Sequence, residues 1–248
     1  MRKIITSILA LTLSAVAFAA SPQSEEAMRR GEELFAAGKW CDAERVLRSV
    51  EDDGSLTPIE RQRVEYYVAL CAVKQNSENA AMLVDRYLAN YPSSAYDNEM
   101  LFASASLAYA AADYQTAVDR FAQVQRVERV AQAEYDFKAG HSKFVVGRHE
   151  EAYEQLARVP EQSEYAPHAR YYRAYIDYAR GEWERAKAGF RSIEQDQNYA
   201  LAVPFYLLQI EFQQENYHYV VENCDKLIPQ VTPARRAEIE RVAAESWF

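Results

Sequence analysis

The chain has 248 residues, of which 49% are hydrophobic and 26% are charged, and its formal net charge is −9. Acidic residues and arginines are interspersed without a concentrated basic patch, so we expect no nucleic acid among its partners. Three scattered cysteines argue against both a disulfide-rich scaffold and a structural zinc site, which require paired spacing.

The first 19 residues have the three parts of a signal peptide. Residues 1–3 form a charged head, residues 4–18 form an apolar run, and Ala17-Phe18-Ala19 is a small-x-small cleavage site. The run is shorter than the roughly 20 residues that span a membrane, which favours cleavage near Ala19 over an uncleaved anchor. We therefore expect residues 1–19 to be removed, the chain to be exported, and the mature chain, residues 20–248, to contain no transmembrane helix.

A pattern of one bulky, one small and two apolar residues, at spacings of three, four and three, then recurs six times. In the first copy these residues are Trp40, Ala43, Leu47 and Val50, and the small residue returns at steps of 37, 37, 35, 34 and 34. A fixed period near 34 is typical of stacked helix pairs, each of which buries its apolar face against its neighbours. We therefore predict an all-α fold, a right-handed α-solenoid of six helix hairpins plus a terminal single helix.

We number these hairpins repeats 1 to 6. Their approximate bounds are 24–56, 61–93, 98–130, 133–164, 167–199 and 201–232, and a terminal helix covers 233–248. Gly38, Gly147 and Gly181 each stand five residues before the small residue, where the first helix must end and the chain must reverse. The terminal helix is either a capping helix with a polar outer face or the first helix of a seventh repeat. The apolar pair Trp247-Phe248 favours continuation of the array beyond the chain end.

At the repeated positions the chain resembles the tetratricopeptide repeat family. Gly31, Gly38, Trp40, Ala43 and Leu47 match the small, turn, aromatic, alanine and apolar positions of the family pattern, and the resemblance covers residues 24–248. The tyrosine-rich stretch 171–178 is similar to long exported arrays in the envelopes of Gram-negative bacteria. That resemblance implies a location in the periplasm or at the outer membrane and a role in envelope assembly or trafficking.

The motifs of common enzyme classes are missing from the sequence. It has no glycine-rich phosphate loop, no His-Glu-x-x-His pair, no nucleophile elbow and no cysteine pair at metal spacing. The sequence therefore indicates a protein that is not an enzyme and that binds neither a metal nor another cofactor. Cys41 and Cys71 should lie on adjacent antiparallel helices, where they either form a disulfide or remain two buried thiols.

Aromatic residues recur along the first helices of the repeats. The resemblance implies that such positions face the concave groove of the superhelix, where rings would bind a peptide or a partner helix. The candidate partner-binding residues are Phe102, Tyr109, Phe137, His141, Phe144, Tyr171, Tyr175, Tyr178, Phe205 and Phe212. The rings could instead form core between the repeats, because charged residues such as Asp177 and Glu211 occupy neighbouring positions that should be buried, as if these helices were rotated.

The leading hypothesis is an exported scaffold that binds protein or peptide partners through its concave helical face. The alternative is the periplasmic sensor region of a longer, membrane-anchored signalling protein. An apolar stretch of about 20 residues beyond the chain end would favour the sensor, and further repeats would favour the scaffold.

Overall fold

A computed structural model of the protein describes residues 21–126 and 131–247. The signal peptide expected at residues 1–19 and the last residue, Phe248, lie outside these ranges. The described residues form thirteen α-helices and no β-strand. The helices are α1 (Pro22–Ala36), α2 (Trp40–Arg48), α3 (Pro58–Lys74), α4 (Ala80–Asn90), α5 (Asp97–Ala110), α6 (Tyr114–Phe121), α7 (Gln132–Val145), α8 (His149–Leu156), α9 (Ala166–Ala179), α10 (Trp183–Arg191), α11 (Val203–Gln213), α12 (Tyr217–Leu227) and α13 (Pro233–Ser246).

The helices belong to two compact units, one ending at Ser94 and the other beginning at Ala95. In the first unit α1 pairs with α2, α3 pairs with α4, and α2 packs on α3. In the second unit the hairpins α5–α6, α7–α8, α9–α10 and α11–α12 stack in chain order, followed by α13. The prediction of an all-α array of stacked helix hairpins is therefore confirmed within each unit.

The small residue of each repeat lies where helices cross closely. Ala43, Ala80, Ala117, Ala152, Ala186 and Val220 are each 1% exposed or less. A Cβ added to Gly140 on α7 would lie 2.7 Å from Cγ of Leu156 on α8, closer than real Cβ contacts allow. Glycine is therefore required at this position because the leucine fills the space that a side chain would occupy.

All six hairpins turn through a residue in the left-handed backbone region. Repeats 1, 4 and 5 use Gly38, Gly147 and Gly181, as predicted, with φ between 72° and 84°. Repeats 3 and 6 use Ala112 (φ 59°) and Glu215 (φ 60°), and repeat 2 uses Asn76 (φ 53°). A side chain with a Cβ is strained in this region, so the alanine and the glutamate turns carry a conformational cost that the glycine turns avoid.

The second repeat is less regular than the others. The second helix of the other five repeats begins at the bulky residue of the pattern, whereas α4 begins at Ala80, three residues after Ser77. Ser77 has no ring to pack against the first helix, and its carbonyl instead accepts the Ala80 backbone N–H in a turn (3.0 Å). This second helix therefore begins about one turn later in the repeat than the others.

A disulfide between Cys41 and Cys71 is not formed, because both cysteines are free. Cys71 is fully buried in a cluster with Leu34 and Ala43, while Cys41 is exposed. Cys41 stands two positions before Ala43 on α2, and residues two apart on a helix point to different faces. Buried Cys71 has its pKa raised to about 12 by loss of solvation, so it is an inert core thiol.

Within the second unit, several first helices of successive hairpins also pack on one another. α5 packs on α7, α7 on α9 and α11 on α13, whereas in residues 95–126 and 131–247 no comparable packing joins α9 to α11, α6 to α8 or α8 to α10.

None of the helices in the described residues combines the length and the apolar character needed to cross a bilayer.

Candidate partner-binding site

Aromatic side chains on the first helices of the second unit form a connected set that we call the aromatic band. Neighbouring ring centroids are 4.6 to 5.6 Å apart along the path Tyr109, His141, Tyr172, Phe144, Tyr175, Tyr206 and Phe205. Phe137, Tyr171 and Tyr178 contact this path from the side. Most of these contacts are edge-to-face or tilted, the arrangements that aromatic quadrupoles favour.

The band is half-buried. It therefore has features of both alternatives that the sequence left open, a partner-binding groove and a core between the repeats. Phe137 is 8% exposed, and the other nine candidate residues are intermediate in exposure. The rings of Tyr171, Tyr175 and Tyr178 pack against a core cluster around Phe190 and keep part of their surface in solvent. The rings are thus fixed in position by the core from one side and accessible to a partner from the other.

Two of the predicted candidates stand apart from the band. Phe102 contacts Phe121 and Tyr135, at centroid distances of 6.0 and 6.3 Å, in a core cluster that Tyr109 also contacts, but its ring makes no contact with a ring of the band among the described residues. Phe212 contacts Tyr217 at 5.9 Å beyond the other end of the band. The structure therefore brings eight of the ten predicted residues together.

Sequence reasoning missed Tyr172 and Tyr206, which join the parts of the band. Each follows one position after an expected groove residue, Tyr171 or Phe205. Successive residues of a helix differ by only about 100° in direction, so both can share one broad face. The signal was present in the sequence, since Tyr171-Tyr172 and Phe205-Tyr206 are adjacent aromatic pairs.

Two histidines on either side of Phe137 add polar groups to the band. The His141 ring stacks on Phe137 at 5.8 Å, and the His168 ring lies 5.7 Å from Phe137. The Tyr109 hydroxyl is 2.9 Å from Nδ1 of His141, and the Tyr199 hydroxyl bonds to Nδ1 of His168. Burial, and to a lesser degree the nearby His168, lower the pKa of His141 to about 4. At neutral pH His141 therefore offers hydrogen bonding without charge.

Cationic side chains lie over rings at both ends of the band. Nζ of Lys138 is 5.7 Å from the Tyr109 ring centre. The Arg235 guanidinium, from α13, lies 5.1 Å from the Phe205 ring centre and 5.8 Å from that of Tyr206. Distances below about 6 Å are those of cation–π attraction, so the faces of these rings are electrostatically suited to positive charge.

The charged residues beside the row, Asp177 and Glu211, are buried and have polar partners on the preceding hairpins. Glu211 is 2% exposed, and its carboxylate accepts from Lys187 Nζ (2.6 Å) and from Asn216 (2.9 Å). Asp177 is 4% exposed and accepts from the Tyr153 hydroxyl at 3.3 Å. Lys187 and Tyr153 belong to the preceding hairpins, so these polar contacts join one repeat to the next.

Among the described residues, no group of three or more His, Cys, Asp or Glu side chains is arranged to hold a metal ion. The groups that the site presents are ring faces, the imidazoles of His141 and His168, and phenolic hydroxyls, which suit non-covalent contacts. Burial raises the pKa of Tyr109 to about 12, so its phenol remains protonated at neutral pH.

No protein-family model and no curated protein matches the sequence. Solved structures that are similar in fold include the following three. MamA AMB-1 has a TM-score of 0.57 at 17% identity, over 71% of this chain and 92% of its own. MamA MSR-1 has a TM-score of 0.56 at 17% identity, over 71% and 97%. A tetratricopeptide repeat protein from Parabacteroides merdae has a TM-score of 0.54 at 14% identity, over 92% and 91%.

At such low identities the likeness concerns the fold alone, and it agrees with the stacked hairpins and their recurring small residues. The chain therefore has the fold of the tetratricopeptide repeat proteins.

Proposed function

We propose that the protein is an exported, non-enzymatic scaffold that binds a protein or peptide partner on the aromatic band. The observation that carries this proposal is the continuity of the band, which links the first helices α5, α7, α9 and α11 through half-buried rings. A set of rings that crosses several repeats offers one extended surface, of the kind that a chain segment or a helix can follow.

The energetics favour binding at such a surface. Rings that are already packed on one side lose little conformational freedom when a partner covers the other side. Aromatic residues in partly desolvated positions also contribute most of the binding free energy in many interfaces. The neutral imidazole of His141 and the hydroxyl of Tyr109 supply hydrogen bonds that fit the backbone of a bound segment.

The export part of the proposal is supported by the first 19 residues. Their charged head, apolar run and cleavage site are those of a secretory signal, and the family resemblance favours the periplasm or the outer membrane. Expression of the full chain in a Gram-negative host, with mass measurement of the mature protein, tests this. A mature chain that begins within two residues of Ala20 is expected, and an unprocessed chain retained in the cytoplasm would contradict it.

Removal of one ring from the band tests the binding surface. Tyr175→Ala should weaken partner capture from envelope extracts by about tenfold or more, which corresponds to roughly 1.4 kcal/mol. The matched control is Tyr217→Ala, because Tyr217 is a 41% exposed tyrosine on α12 outside the band. Both variants must first show the wild-type circular dichroism spectrum. Equal capture by the two variants and the wild-type protein would show that the band is not the binding surface.

A further inference from the structure

Arg235 differs from the other arginines of α13 in having no acidic partner. Arg236 pairs with Glu240, and Arg241 pairs with Glu238 and Glu245. In the described ranges 21–126 and 131–247, no carboxylate lies within ion-pair distance of Arg235, and its guanidinium makes no hydrogen bond. Within the described residues, its guanidinium lies over the faces of Phe205 and Tyr206, and its charge also acts on the nearby Tyr171 hydroxyl. The charge of Arg235 is therefore uncompensated.

The position of Arg235 places this unpaired charge beside the aromatic band. The residue is half-buried and lies over the Phe205 end of the aromatic band. A guanidinium stacked on rings keeps its in-plane N–H groups available, and those groups match the two oxygens of a carboxylate. The stacking also holds the group in place, which reduces the entropy lost when a ligand binds.

A second unpaired donor lies at the same helix junction. Gln209 is 3% exposed, and its side-chain nitrogen has no hydrogen-bond partner in the described residues. Gln209 follows Phe205 by one helical turn on α11, so the two side chains share a face, and α13 packs on this helix. A buried amide donor without an acceptor is costly in a native protein. Neither the Gln209 amide nitrogen nor the Arg235 guanidinium therefore has a hydrogen-bond acceptor among the described residues.

The other charges along the band do not compensate Arg235. Lys138, beside Tyr109, is neutralised by an ion pair with Glu134 one turn away. His141 is uncharged at neutral pH because of its burial. Glu238, the carboxylate that acts on Tyr178, is paired with Arg241, so among these groups of the described residues the unpaired charge is that of Arg235.

From this geometry we infer that Arg235 anchors an acidic side chain of the partner, a site that rests on the proposed function of the band. The partner segment carries a glutamate or aspartate flanked by apolar or aromatic residues. Its carboxylate accepts two N–H groups from Arg235, and the flanking residues cover the rings of Phe205 and Tyr206. The imidazole of His141 and the phenols along the rest of the band take uncharged residues.

Paired peptide libraries test the inference. The first contains fluorescein-labelled decapeptides with one glutamate between apolar and aromatic residues, capped at both ends to remove terminal charges. The second replaces that glutamate with glutamine. We expect the wild-type protein to bind the glutamate library about tenfold more tightly, as measured by fluorescence anisotropy. Arg235→Gln should abolish this preference, and Arg235→Lys should retain only part of it because lysine cannot form the two-pronged contact.

Arg236→Gln is the matched control, since it removes the same charge from the next residue of α13, which is exposed and paired with Glu240. This variant should keep the full preference for glutamate. An equal loss of this preference in both variants would show that any positive charge on this part of α13 produces it, and it would overturn the inference. The glutamine library is also tested without its C-terminal cap. Tighter binding of these uncapped peptides than of the capped glutamate library would overturn the inference, because the bound carboxylate would then be the chain terminus.

The same assay separates the inference from the proposed function. If wild-type protein binds both libraries equally, and Tyr175→Ala still abolishes binding, the aromatic band is a binding surface and the Arg235 site is wrong. If neither library binds to the wild-type protein, the proposal of a peptide-binding band fails together with the inference.

Discussion

The ring of Tyr206 on α11 lies parallel to the ring of Phe190 on α10, with centroids 5.0 Å apart and planes 4° apart. Phe190 is fully buried in the core of the second unit. Tyr206 also contacts Tyr175 of the aromatic band at 5.6 Å. This one side chain therefore connects the core between two hairpins with the surface on which we expect a partner to bind.

Tyr206→Ala should destabilise the protein by about 3 kcal/mol, because it leaves a cavity beside Phe190 and removes several ring contacts. Tyr206→Phe keeps the rings together and should cost less than half as much. Urea unfolding monitored by circular dichroism measures both values. Similar losses in the two variants would mean that the hydroxyl, rather than the stacked ring, holds the hairpins together.

Gly140→Ala should destabilise the second unit by about 1 to 2 kcal/mol, because the new Cβ would lie 2.7 Å from Leu156 and force apart the α7–α8 hairpin. The control is Gly54→Ala, where an added Cβ meets no atom within 4 Å. Thermal unfolding of both variants decides the matter. If Gly140→Ala proves neutral, the helices do not cross as closely as described.

Glu215→Gly should stabilise the protein by about 1 kcal/mol, since it relieves a left-handed conformation (φ 60°) that glycine adopts without strain. Glu215→Ala removes the same charge and retains the Cβ, so it should give no comparable gain. Chemical denaturation of the three proteins measures the difference. A gain in both variants would attribute the effect to the lost charge and not to the backbone.

The free energy of unfolding should fall as the pH drops from about 7.5 to 5, because His141 is protonated less readily when it is buried in the folded protein than in the unfolded chain. The folded-state pKa of His141, lowered to about 4, lies below the ordinary value of 6.5. The unfolded state therefore binds more protons in this window, and the loss due to this residue is about 2 kcal/mol at pH 5. Urea denaturation across this range should show a reduced slope in His141→Gln. An unchanged slope in His141→Gln would show that burial of this imidazole does not set the pH dependence.

Much of the fold could be predicted because it depends on local repetition. The recurrence of Ala43, Ala117, Ala152 and Ala186 reports where helices cross, and glycines such as Gly147 report where a hairpin reverses. These features depend on residues a few positions apart, which the printed sequence shows directly.

The details of the site depend on contacts between repeats, which the sequence does not show. Asp177 and Glu211 pointed to rotated helices because their partners, Tyr153 and Lys187, lie 24 residues away in preceding hairpins. Arg235 could not be recognised because its free charge depends on the packing of α13 against α11. The direction of Cys41, away from Cys71, likewise depended on the rotation of a single helix.

The left-handed turns have a practical consequence for engineering. Asn76, Ala112 and Glu215 occupy the same corner that glycine occupies in the other hairpins, so the corner accepts several side-chain types once the helices are in place. Ala112 and Glu215 are exposed there, away from the crossing points of the helices. A fluorophore or a short affinity tag attached at these two corners would report on the second unit from outside its helix layers and leave the ring surface open to its ligand.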